Sequence, residues 1–181
     1  RIPAEDRPAA WSEMPFGSTA AAVGAESTSS YTGIGFNEFS RTLCLNHAGT
    51  SCPQAFPAVW SPAGTTVPVD HLVDALKTRT VVVQNALVPD AAAAPLPDNW
   101  VVAAVTDRVT VFERTDPVPW PGSRLAATTA GVEVVSAVGT DTTERVVLRT
   151  GASGGAVQFA RLAWPGYAAR VDGRAVEVRR N

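Results

Sequence analysis

The chain is nearly devoid of lysine: Lys77 is the only one, and arginine supplies the rest of its positive charge. With a formal net charge of −2 there is none of the basic excess that a nucleic-acid partner demands. Together with the alanine and valine excess, the arginine bias reads as a GC-rich genome rather than a physical requirement. Long apolar runs are missing as well. No stretch reaches the roughly 18 residues needed to cross a bilayer as a helix, and no basic, apolar and small-residue signal segment opens the chain. The chain starts at Arg1 and stops at Asn181 just after a strand-like run, so both ends are expected to be cuts. No Gly-rich phosphate loop with a lysine and no dinucleotide fingerprint is present, and no cofactor is expected.

What remains is ordinary globular material. At 181 residues, 45% apolar and 18% charged, the chain can bury a core without metal or a dense disulfide set. Its two cysteines, Cys44 and Cys52, flank a gap containing Gly49, Thr50 and Ser51, which let the chain double back. A bridge is the favoured reading, and such a short loop would stabilise by roughly 2–3 kcal/mol in the loop-entropy model. The alternative is two free thiols in a reducing cytosol. A zinc site would have to recruit His47 or His71, and the spacing matches no standard ligand set.

Residues 1–30, rich in Ala, Pro, Ser and Gly, read as an extended lead-in anchored by Trp11, Met14 and Phe16. Ile34, Phe36, Phe39 and Leu43 fall near helical spacing and predict a short helix over 36–46. Pro53, Pro57 and Pro62 are expected to break the chain up around Trp60. Val69, Leu72, Val73 and Leu76 predict a second helix with Asp70 as its cap. The β-branched run Thr80–Gln84 then predicts a strand covered on both faces, making an α/β corner. Further strands are predicted at Val101–Val105, Val109–Glu113, Val132–Val138, Arg145–Arg149, Ala156–Leu162, Tyr167–Val171 and Ala175–Arg179. Asp172-Gly173 supplies the pair that a primed hairpin turn needs. The expectation is an α+β fold: short helices and the α/β corner in the first half (31–115), and an antiparallel, β-sandwich-like second half (116–181), packed as one unit.

Gly151-Ala152-Ser153-Gly154-Gly155 resembles the nucleophile loop of chymotrypsin-like proteases, and His47 or His71, Asp107 and Ser153 occur in that family's order. Alanine precedes Ser153 where the family has aspartate, and neither histidine has the family's flanking residues, so the segment reads as a Gly-rich turn. Asp98, Asp107, Glu113 and Asp116 could offer a carboxylate pair for glycoside hydrolysis, but any chain offers such pairs. Glu113 and Arg114 are expected to form a surface ion pair instead. Trp120, in a proline-rich loop, and Trp164 and Tyr167, in Trp164-Pro165-Gly166-Tyr167, are the candidate glycan-contacting residues, because exposed rings stack on sugar faces. The competing reading is that these rings cap the core.

The segment Arg161–Arg174 resembles one that recurs in YfhO-type bacterial membrane proteins and related family C lipid-linked-sugar glycosyltransferases, where a strand leads through a Pro-Gly-Trp variant into a Val-Asp-Gly-Lys or Arg hairpin. Ser30–Phe36 through Cys44 and Cys52, and Val69–Leu72 running into Val81–Gln84, are similar to the external domain of actinobacterial members. Tyr167 departs from the more usual tryptophan. The resemblance implies a domain on the outer face of a polytopic membrane protein in cell-envelope assembly. Its partners would be the transmembrane region of its own parent chain and cell-wall glycan or polyprenol-linked sugar. Catalytic motif positions of that family fall outside this segment, so no catalytic residue is carried over and the isolated domain is expected not to be an enzyme. The rival expectations are a secreted hydrolase using Ser153 or a carboxylate pair, and a purely structural or protein-interaction domain.

Overall fold

The computed structural model describes residues 41, 43–44, 52–161 and 166–179. The lead-in over 1–30, most of the helix predicted over 36–46, His47 and Trp164 lie outside the described residues. The protein is α+β, with short helices and several antiparallel sheets toward its C-terminal end. The described residues fall into two compact units, one from 41–61 and 78–118, the other from 62–77 and 119–179.

The first unit is organised around Phe112, which is fully buried. Helix α1, Ala55–Val59, forms where the prolines were expected to break the chain. Pro57 sits in its first turn, where a missing N–H forfeits no intrahelical bond. The i, i+4 spacing then puts Phe56 and Trp60 on one face, with ring centroids 5.4 and 5.7 Å from Phe112. Trp60 meets Trp100 edge-on at 5.0 Å. Strands β1 (Thr80–Gln84), β2 (Trp100–Val105) and β3 (Val109–Arg114) form an antiparallel sheet of order β1-β3-β2. Val81 and Val102 stand opposite Phe112 on its two sides. Strand β1 is not covered along both faces as expected: Val83 is buried on one face, but on the other only its end, Gln84, is buried while Val82 is 39% exposed.

Local hydrogen bonds close this unit. The Thr106 hydroxyl accepts from the amides of Arg108 and Val109, at 3.2 and 2.9 Å, and turns β2 into β3. Asn85 donates to the Thr106 carbonyl at 2.8 Å and accepts from the buried Thr110 hydroxyl at 2.8 Å, tying the end of β1 to that hairpin. The Cys44–Cys52 disulfide is present, with Cα atoms 5.5 Å apart, and the Cys52 amide donates to the Cys44 carbonyl.

In the second unit, helix α2 spans Leu72–Ala75. Its N-cap residue is His71 rather than Asp70, and no side chain caps it. The His71 ring instead reaches forward to the Asp74 carboxylate at 3.1 Å. Strand β4 (Leu125–Thr128) pairs with β7 (Val157–Phe159), β5 (Val132–Gly139) with β6 (Glu144–Thr150), and β8 (Ala169–Val171) with β9 (Arg174–Val176), all antiparallel. Strand β4 was not predicted. A bulge between Val134 and Ser136 absorbs one extra residue in β5. Val134 and Ala137 therefore both face inward, opposite Leu148 and Val146. The β8–β9 hairpin turns as expected through Asp172 and Gly173, with φ of 49° and 79°.

Candidate functional site

A constrained segment of the second unit is Pro119-Trp120-Pro121-Gly122-Ser123. Trp120 has φ of 48°, a left-handed conformation that a bulky side chain rarely adopts. It also precedes a proline, which favours extended backbone at that position. Two donors hold its carbonyl: the Ser123 amide at 3.2 Å and the Lys77 ammonium at 3.0 Å. The same ammonium donates to the Ser123 carbonyl at 2.5 Å. Lys77 follows the last turn of α2, itself at φ of 53°. Burial pushes the Lys77 amine below the usual lysine value, with Glu144 pulling it up and Arg124 pulling it down.

Below this segment lies a charged interior. Glu144 and Arg161 are 9% and 16% exposed in their side chains and meet at 2.9 Å. One Glu144 oxygen accepts from the Ser123 hydroxyl at 2.8 Å, the other from the Arg124 amide at 3.1 Å and from Arg161. Arg161 also donates to the carbonyls of Asp141 and Thr140, closing the β5–β6 turn. Gly139 stands opposite Glu144 in the ladder, and a Cβ there would run into the Glu144 carboxylate. The absent side chain makes room for the charge. Gly139 then donates to the Gly122 carbonyl at 2.7 Å, so the hairpin end and the Trp120 loop are fastened together.

The sequence candidates divide as follows. Trp120 is half-buried, with its backbone fixed as described. Tyr167 is 41% exposed, beside a hairpin whose Val171, Val176 and Val178 are also exposed. Trp164 lies outside the described residues. Ser153 is exposed in the turn between β6 and β7, where Gly154 takes φ of 68° and the Gly155 Cα leaves no room for a Cβ against Val132. Those packing and turn demands account for Gly154 and Gly155 of that motif. Arg114 pairs with Asp116 at 2.8 Å, and its hydrogen bond lowers the Asp116 carboxyl below the usual range. Among the described residues no group of three metal-ligating side chains occurs, and no helix is long and apolar enough to cross a membrane.

Lys77, Ser123, Glu144 and Arg161 were missed by sequence reasoning. The one available signal was the isolation of Lys77 in a chain that otherwise uses arginine. No protein family, curated protein or solved structure matches this chain.

Proposed function

We propose that the chain is a non-catalytic extracytoplasmic domain of a bacterial integral membrane protein of the YfhO or family C glycosyltransferase-like type, contacting cell-envelope glycan or polyprenol-linked sugar through Trp120. The observation that carries the reading is the backbone of Trp120, held in an unfavourable conformation by a half-buried lysine. Strain of this kind persists where surrounding structure enforces it, and it concentrates at binding sites. A half-buried indole on a fixed loop offers a sugar an apolar face without the entropy cost of ordering it on binding. The Cys44–Cys52 bridge supports an oxidising compartment, and the resemblance of Arg161–Arg174 supplies the membrane-protein context and the transmembrane partner.

The test is titration of the domain with arabinan, mannan and galactan fragments, followed by indole 1H–15N resonances assigned through W120F. The Trp120 signal moves in a saturable way, while those of Trp60 and Trp100, which belong to the aromatic core, stay in place. An immobile Trp120 signal at millimolar fragment removes the glycan reading. Treatment with a fluorophosphonate probe leaves Ser153 unlabelled; a labelled Ser153 would establish the hydrolase instead.

A further inference from the structure

Among the described residues, four that are not glycine have left-handed backbone: Cys44, Lys77, Trp120 and Asp172. Each is disfavoured relative to ordinary backbone and needs something to hold it. Cys44 is held by the disulfide, and Asp172 by the two-residue turn between β8 and β9. The other two are bonded to each other, the ammonium of Lys77 on the carbonyl of Trp120.

We infer that Lys77 is a positioning residue for Trp120: by taking the carbonyl oxygens of Trp120 and Ser123 together, it fixes the bend that presents the indole. The inference rests on the sugar-contact reading of Trp120 and adds the group that preorganises it. A lysine suits this task because its head is a compact cation with three donors, able to serve two carbonyls that converge on one point. Arginine, which supplies every other cationic side chain but the histidines, presents a planar fork suited to carboxylates. Without Lys77 the Trp120 carbonyl keeps, among the described residues, only the Ser123 amide of its own turn. Trp120 is then free to relax toward the extended backbone that its pre-proline position favours. The bend sits on Glu144 through Ser123 and on β5 through Gly122, so the relaxation stays local.

The test begins without ligand. In K77M the Trp120 indole resonance moves and the Ser123 amide exchanges at least about tenfold faster, while the Trp60 and Trp100 indoles stay unshifted. Affinity for whichever glycan fragment binds the wild type falls about tenfold. A K77M protein whose Trp120 indole and Ser123 exchange match the wild type overturns the inference whatever the glycan titrations show. If no fragment binds the wild type at Trp120, the sugar-contact reading fails by itself, and the ligand-free measurements still decide whether Lys77 holds the bend. Should K77M fail to fold, W120G/K77M folds, because glycine adopts the bend unaided. If the double variant also fails to fold, Lys77 is needed for something other than Trp120, and the inference falls.

Discussion

The two units keep different interiors. Around Phe112 the first unit packs the rings of Phe56, Trp60 and Trp100 on a three-stranded sheet, and Arg114, opposite Trp100 in the ladder with its side chain 8% exposed, turns its charge to Asp116 at the edge. Around Glu144 the second unit uses a carboxylate, a guanidinium and a hydroxyl to fasten loop to hairpin. The difference follows from local composition. The stretch 52–61 with 100–112 holds Phe56, Trp60, Trp100 and Phe112, whereas 119–161 is dominated by Ala, Val, Thr, Gly and Arg. Where large apolar side chains are few, polar groups that satisfy one another define which loop lies where. The apolar interior is tolerant of detail, and the polar one demands particular partners.

The largest effect tests the apolar interior. F112A removes the fully buried ring that meets Phe56 and Trp60, and the expected loss is about 3–5 kcal/mol by denaturant unfolding. A loss below about 1 kcal/mol would mean that the rings collapse into the space and that the centre of the unit lies elsewhere. Next, E144A removes the carboxylate that Arg161 and the Ser123 hydroxyl share in a largely buried place, and the expected loss is about 3 kcal/mol. If the polar interior is surface decoration, E144A costs no more than an exposed ion pair, about 0–1 kcal/mol, and the comparison collapses.

Smaller still is the bridge. C44S/C52S opens a loop of 8 residues' separation and lowers stability by about 2.5 kcal/mol in the loop-entropy account. Because Cys44 also holds left-handed backbone, the double variant frees that residue, and the loss measured by thermal unfolding falls somewhat short of this figure. A loss well above it would assign the bridge a packing role against Leu43, which is buried beside it.

Legibility in the sequence followed the same division. Strands β1, β2, β3, β5 and β6 announce themselves as β-branched runs, and the Asp-Gly turn follows from φ preferences alone, since all of these are local signals. Strand β4 reads Leu-Ala-Ala-Thr, with little β propensity, and exists because it pairs with Val157–Phe159 about thirty residues later. Helix α1 was hidden by Pro57, whose position within the first turn decides whether it breaks or permits a helix. Asp70 looked like a cap, yet the backbone turns helical one residue later, after an extended His71. The Lys77 contacts were illegible for a plainer reason: its two carbonyl partners lie 43 and 46 residues away and carry no side-chain signature.

The smallest expected effect isolates one charge of the polar interior. The Lys77 amine titrates below the usual lysine value of 10.5, chiefly because burial penalises its charged form. Between that lowered value and 10.5 the unfolded chain holds a proton that the folded chain has released, so stability rises with pH across this window. The difference between the wild type and K77M isolates Lys77 from every group the two proteins share. As pH rises through that window to about 10.5 the wild type gains stability relative to K77M, read as a growing separation of denaturation midpoints. The bend at Trp120 survives this deprotonation, since a neutral amine retains two N–H donors for the two carbonyls it serves. A separation that shrinks with rising pH would mean that the attraction of Glu144 outweighs burial, and that the charge on Lys77, rather than its hydrogen bonds, holds the loop.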